Sequence, residues 1–224
     1  MNVVRLHAFR TETRLKQPLL ETVRCTVRPA VPSDLDALVA AVRSPVFPQR
    51  LPLAQMQTAD EFRRWLELMC SRSADGLAFI WSIDLRGGPC CIGQVSLSPR
   101  TDSTAWSIAF WLDPTHWGNG LAVEAVSRVI KFTFESLAIQ ELWAGVALWN
   151  HRSIATLERL GFRYSGNNAA GYTVSGVAEP VQEFHLTLEQ WQSRQCNAWP
   201  LAQPRRLASG ACAPCARCRS ASSH

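Results

Sequence analysis

The stretch DPTHWGNGLAVEA, Asp113 to Ala125, sets two glycines and an asparagine between a proline turn and a run with helical periodicity. Immediately before it, STAWSIAFWL alternates. Trp106, Ile108, Phe110 and Leu112 face one way and Ser107, Ala109 and Trp111 the other, the period of a strand. Immediately after it, Ala122, Val126, Ile130 and Phe134 recur at helical spacing, joined by Ala125, Val129 and Phe132. The glycines therefore stand at a strand-to-helix corner. First-turn amides of a helix lack partners within it and lie at the positive end of its dipole, so such a corner is a natural seat for a phosphate.

Working outward, TVRCTVRPA (Thr22–Ala30) alternates and stops at prolines, as a first strand does. Ser33 is expected to cap a helix with the stripe Leu35, Leu38, Val39 and Val42, after which SPVFPQRLP breaks the chain. Thr58 and Glu61 form a capping box ahead of Phe62, Trp65, Leu66 and Met69. LAFIWSID and CCIGQVSLS then read as two strands turned by LRGGP. Beyond the long helix, which closes near Leu137, ELWAGVALWN is a strand with Leu142, Ala144, Val146 and Leu148 on one face. Asn150 is placed to cap a short helix carrying Ile154, Leu157 and Leu160 and ended by Gly161; FRYSGN and VQEFHLTLEQW read as closing strands. This order predicts an α/β domain, a mixed sheet flanked by helices, over residues 22–191.

The 224 residues, 47% of them apolar, suffice for one well-buried domain with an N-terminal extension (residues 1–21) and a tail. The net charge of +5 is not spread over the body. Arg194, Arg205, Arg206, Arg217 and Arg219 supply the whole excess in residues 192–224, so a generally basic nucleic-acid surface is not expected. The start MNVVRLHAFRTETRLKQ lacks the apolar core of a secretion signal, and its Glu12 and scarcity of serine argue against a transit peptide. No run has the apolar length of a membrane span, which predicts a cytoplasmic protein. Cys25, Cys70, Cys90 and Cys91 have no disulfide spacing and are expected to be buried thiols. Residues 192–224 read as a disordered tail; its Cys212, Cys215 and Cys218, with Cys196 upstream, have a metal-like spacing but no second pair and no folded context, so no metal is assigned.

FWLDPTHWGNGLAVEA followed by WNHRSIATLERLGFRYSG resembles the GNAT superfamily of acyl-CoA-dependent N-acetyltransferases, in particular the branch of ribosomal-protein N-terminal acetyltransferases. The likeness runs from about Thr22 to Trp191. It implies the GNAT fold, a mixed, mostly antiparallel sheet flanked by helices, and acetyl-CoA as co-substrate. The superfamily's phosphate loop falls on Trp117, Gly118, Asn119, Gly120, Leu121 and Ala122, where main-chain amides would take the pyrophosphate. The branch resembles WGKGYA here, so Trp117 fits the branch, whereas Asn119 stands where it has lysine. The resemblance also implies that the strand before the loop splays from the next and that the main chains of Phe110 and Leu112 pair with pantetheine, the Leu112 amide holding the thioester oxygen.

In the second motif, Asn150 is expected against pantetheine, as an N-cap, or both. Ser153 either donates a proton to the departing thiolate or bonds the local backbone. Leu157 occupies the place where many members have a tyrosine. No general base is evident. The branch often has Glu where Ser107 stands, an acid following GF would fall near Gly171 or Tyr172, and Glu183 and His185 on the last strand are weak candidates. An α-amino group, with a pKa near 8, needs less help than a lysine, which mildly favours a peptide N-terminus as acceptor. Glu124 is expected to pair with Arg128 along the helix, and most tryptophans among 65, 81, 106, 111, 143 and 149 to be core.

The expected function is therefore transfer of an acetyl group to a primary amine, by a monomer or a homodimer. The acceptor is a peptide N-terminus or a small molecule such as a polyamine, an amino acid or an antibiotic. Two rivals are a non-catalytic CoA-sensing module and, more weakly, nucleic-acid association through the tail.

Overall fold

A computed structural model describes residues 17–100 and 103–197. One eight-stranded sheet runs through the domain in the order β1-β2-β3-β4-β5-β6-β8-β7. The strands are β1 (Leu20–Glu21), β2 (Cys25–Pro29), β3 (Phe79–Leu85), β4 (Gly93–Pro99), β5 (Trp106–Leu112), β6 (Glu141–Ala147), β7 (Arg163–Val174) and β8 (Val177–Thr187). All neighbours pair antiparallel except β5 and β6, which are parallel because the long helix α3 (Leu121–Ser136) connects them. The mixed sheet with flanking helices agrees with the predicted architecture.

The two faces are covered differently. On one, α3 and α4 (His151–Leu160) bury the larger apolar cluster, in which Val126, Val129 and Ile130 of α3 meet Trp81, Val95, Ile108 and Leu142 of the sheet. Trp81 is fully buried and meets the Phe132 ring edge-on at 5.7 Å. On the other, α1 (Leu35–Val42) and α2 (Ala59–Ala74) form a smaller cluster of Leu38, Val42, Phe47 and Phe62, with Trp111 packed against it. The alternation of β5 thus holds, with Ile108, Phe110 and Leu112 toward α3 and Trp111 toward α1 and α2. The capping box of α2 also forms: Glu61 N–H donates to Thr58 Oγ1 at 3.3 Å, and Thr58 N–H to Glu61 Oε2 at 2.9 Å.

Several local expectations are corrected. Ser33 does not cap α1; Pro32–Asp34 form a 3-10 turn, and Asp34 turns its carboxylate inward. The final strand ends at Thr187 because Thr187 and Gln190 cap each other, and α5 (Leu188–Asn197) begins there and contains Trp191. Of the four body thiols, all free, Cys25 and Cys91 are buried, Cys70 is half-buried and Cys90 is exposed. Burial pushes the Cys91 thiol up to about 12, so it is inert. Cys196 and the three tail cysteines lie outside the residues whose side chains are described. Among the described residues no helix is long and apolar enough to cross a membrane.

A polar cluster ties β2 and β3 to the turn that leads into α1. Asp34 is 4% exposed and accepts from Arg28 Nη2 at 2.6 Å, Val31 N–H at 3.0 Å and Ser82 Oγ at 2.7 Å. Arg28 also donates to Asp84 at 2.7 Å. Burial alone would raise the Asp34 pKa, but the bonds from Arg28, Val31 and Ser82 outweigh it and hold it below the ordinary carboxylate value. A depressed folded-state pKa means stability that is complete above the unfolded pKa, about 3.9, and is lost as pH falls through the folded value. We predict that Asp34→Ala, which leaves Arg28 with Asp84 as its carboxylate partner and strips the Val31 N–H and the Ser82 hydroxyl of their acceptor, costs about 3 kcal/mol in urea unfolding at pH 7, with the cost shrinking below about pH 4.

Candidate active site

The site begins where the sheet stops being a sheet. β5 and β6 pair only at Trp106–Leu142 and Ser107–Trp143, after which β5 continues to Leu112 and β6 to Ala147 without pairing. Asp113 N–H donates to Ile92 O on the β4 side at 2.8 Å. Main-chain polar groups alternate along a strand, so Leu112 and Phe110 turn theirs into the gap. There a cavity of about 530 Å³ is lined by Ala122, Asn150, Ser153 and Leu157 toward α3 and α4, and by Phe47, Leu53, Trp65 and Trp111 toward α1 and α2. The gap thus joins the two faces of the sheet.

At the mouth lies the glycine corner. Gly118 and Gly120 have φ of +80° and +74°. A Cβ at Gly118 would meet nothing within 4 Å, and one at Gly120 only Arg24 Nη2 at 3.7 Å. The glycines are thus needed for the left-handed backbone rather than for room. The first bond of α3 runs from Glu124 N–H to Gly120 O at 3.1 Å, which leaves the amides of Leu121, Ala122 and Val123 without helical partners. Trp117 does not cover them with a cap. Its indole N–H donates to Leu112 O at 2.8 Å, so of the two Leu112 main-chain groups expected to face pantetheine only the amide remains available.

Two arginines flank this corner, neither singled out by the sequence. Arg24 Nη1 donates to Asn119 O at 2.8 Å and Arg24 Nε to Glu124 Oε2 at 2.8 Å, and the Arg24 amide reaches Glu124 Oε1 at 2.7 Å. Glu124 is therefore committed to Arg24, not to Arg128 as the helical spacing predicted. Arg152, at the start of α4, lies over the Trp117 ring at 4.1 Å. Arg24 sits 95 residues from Asn119 in the chain, so only tertiary structure could bring it there.

Asn150 caps α4 through Oδ1, which accepts from Ser153 N–H at 3.3 Å. Both residues line the cavity, and the Ser153 hydroxyl has no protein hydrogen-bond partner among the described residues. Leu157 is fully buried beneath them. The weak base candidates do not reach the cavity wall. Glu183 is paired with Arg100 at 3.3 Å, and the His185 ring lies tilted against Trp143 with centroids 5.3 Å apart, its Nδ1 buried and without a partner among the described residues. Glu179 is 7% exposed and occupied by Arg50 at 2.8 Å and by the Trp149 indole N–H at 3.0 Å.

Residues 24–163 match the profile of the Acetyltransferase (GNAT) domain. The chain belongs to the GNAT acetyltransferase family. It is 24% identical over 150 residues to the uncharacterized N-acetyltransferase YoaA of Bacillus subtilis, covering 66% of this chain and 85% of the relative. Its fold is similar to that of RimL, a ribosomal L7/L12 alpha-N-protein acetyltransferase solved with coenzyme A, with a TM-score of 0.69 and 18% identity over 77% of this chain and 99% of the other. A chimera of the spermidine N-acetyltransferase SpeG from Vibrio cholerae and hSSAT gives a TM-score of 0.64 and 19% identity, covering 76% and 99% of the two chains.

Within this GNAT domain the two quoted motifs are brought to one cavity, which Tyr172 also lines, whereas Arg24 and the cavity's apolar wall have no local signal that marks them. Burial, with the Glu179 carboxylate beside it, pushes the Tyr172 hydroxyl above its ordinary value, so it is no base at neutral pH. Gly120→Ala is expected to lower stability by about 1–2 kcal/mol, the cost of the left-handed conformation, in denaturant unfolding.

Proposed function

We propose that the chain is an acetyl-CoA-dependent N-acetyltransferase that carries the acetyl thioester in the gap between β5 and β6 and transfers it to a primary amine entering from the α1–α2 side. The observation that carries this is the cavity itself, which connects unpartnered amides at the start of α3 with an apolar chamber on the opposite face. In this reading the amides from Gly118 to Ala122 hold the pyrophosphate. Arg24 and Arg152 supply the cationic character that Asn119 lacks. The amides of Phe110 and Leu112 extend the sheet onto pantetheine, and Asn150 meets it from α4.

The chemistry follows from the same groups. A neutral amine attacks the thioester carbonyl, forming the C–N bond while the carbonyl oxygen gains charge. The Leu112 N–H points into the gap to meet that oxygen, a single donor worth on the order of 3 kcal/mol. As the C–S bond breaks, the nitrogen loses one proton and the sulfur gains one. Ser153, whose hydroxyl has no protein partner among the described residues, delivers its proton to sulfur and recovers the one the nitrogen loses. Products are the amide and the free thiol, so no net base is consumed once the amine is neutral. Relatives that act on ribosomal α-amino groups and on spermidine share the fold, which leaves both a peptide N-terminus and a small amine compatible with this scheme.

Incubation with acetyl-CoA and a panel of amines, read by product mass, tests the proposal. Acetyl-CoA binding without turnover on any amine would leave a CoA-sensing module instead. Ser153→Ala should lower kcat about 100-fold with CoA affinity kept. Arg24→Ala should weaken CoA binding about tenfold in titration calorimetry, and less so at high salt.

A further inference from the structure

The proposed transferase has an acceptor chamber of unusual composition. Its walls on the α1–α2 side are Phe47, Leu51, Leu53, Met56, Trp65 and Trp111. Among the described residues no aspartate or glutamate lines the cavity, and the one charged lining residue, Arg152, belongs to the coenzyme end on Trp117. The nearby carboxylates are already matched, Glu179 by Arg50 and Glu183 by Arg100. The walls are also fixed: the Trp111 indole N–H donates to Gln94 Oε1 at 3.2 Å, and its ring meets Phe47 edge-on at 6.4 Å. Among the described lining residues, one polar side-chain atom is both buried and unpartnered. The Tyr172 hydroxyl is buried, belongs to a residue that lines the cavity and has no hydrogen-bond partner among the described residues. A buried polar group without a partner in the free protein is where a ligand's polar atom is expected.

We infer that the acceptor is an amine carried on an apolar, aromatic-sized body, seated against Trp65, Trp111, Phe47 and Met56 with the Tyr172 hydroxyl as its polar contact. This rests on the transferase reading above. Two physical consequences favour it. A polyamine or aminoglycoside would bring further ammonium groups into a chamber that offers them no carboxylate, and unpaired buried charge is costly. A monoamine, by contrast, loses its charge more easily on entering an apolar site, because desolvation disfavours the ammonium. The chamber then selects the neutral nucleophile, its proton released to water before attack. This accounts for a site in which Ser107 and Tyr172 stand where the family resemblance implies an acid. The amine proton lost after attack ends on sulfur, so the balance of the reaction is unchanged.

The same chemistry is available from a free arylalkyl monoamine or from a peptide whose first residue is Phe, Leu or Met, and the test separates the two. Acetyl-CoA binding is first measured by calorimetry; its absence would overturn the transferase reading rather than the acceptor assignment. Initial rates are then compared for phenethylamine, Phe-, Leu- and Met-initiated peptides, Ser-initiated peptides, spermidine and an aminoglycoside. The expected result is a kcat/KM at least about 100-fold higher for one apolar arm than for spermidine, the aminoglycoside and the Ser-initiated peptides. Met56→Glu should narrow that ratio by at least about tenfold, by admitting the polycation and penalising the apolar amine. Spermidine, the aminoglycoside or the Ser-initiated peptide used as well as the apolar amines by the wild type would overturn the assignment. So would acetyl-CoA binding with no acetylation of any apolar amine, and because both readouts come from the wild type, misfolding of the variant cannot mask either.

Discussion

A sheet that fails to complete its own hydrogen bonding is the constraint on which this molecule is built. Strands β5 and β6 are parallel neighbours for two residue pairs and then part. Buried main-chain donors and acceptors are rarely left without partners, and here they face a cavity. The parallel pairing follows from the α3 crossover, and the parting places the start of α3 at the mouth of the gap. One topological decision therefore brings together the helix amides, the strand amides and a passage between the two faces.

The surrounding parts hold that opening in shape. Trp117 ties the glycine corner to the end of β5 through Leu112, and Arg152 lies on the same indole, so α4 and the corner are joined across the mouth. Opposite, Glu179 of β8 grips Arg50 in the segment between α1 and α2, and the Trp149 indole closes the triangle. The chamber is thus walled by the side chains of two helices' connecting segment and floored by Trp111. Its apolar character and the lack of carboxylates among its described lining residues come from the same fact, that this segment packs as a small hydrophobic cluster rather than as a polar loop.

Much of this was legible because it is local. The alternation of β5, the stripe of α3, the Thr58–Glu61 box and the Asn150 cap are all patterns within a few residues, and each formed as its spacing implied. Where the sequence misled, a longer-range partner had won. Glu124 has Arg128 at helical spacing but takes Arg24, which offers both a guanidinium and a backbone N–H. Ser33 is a suitable cap, yet the buried Asp34 is drawn inward by Arg28 and Ser82, and a 3-10 turn results. The strand expected through Trp191 stops at Thr187 because a reciprocal Thr187–Gln190 cap starts a helix. The cavity wall was invisible for a related reason: Phe47, Leu53 and Met56 lie in a proline-broken stretch without periodicity, and only the fold shows which way they face.

The last strand in the sheet order has a bearing on how the protein behaves in a crowded solution. β7 is twelve residues long, largely exposed, and flanks the sheet on its outer side, the situation in which chains stack edge to edge. Its ladder with β8 is broken twice, between Tyr164 and Gly166 and between Asn168 and Tyr172. Each break twists the ribbon and interrupts the flat run of donors and acceptors that a foreign strand would need. The irregularity that lets Tyr172 reach inward thus also guards the molecule against self-templated aggregation.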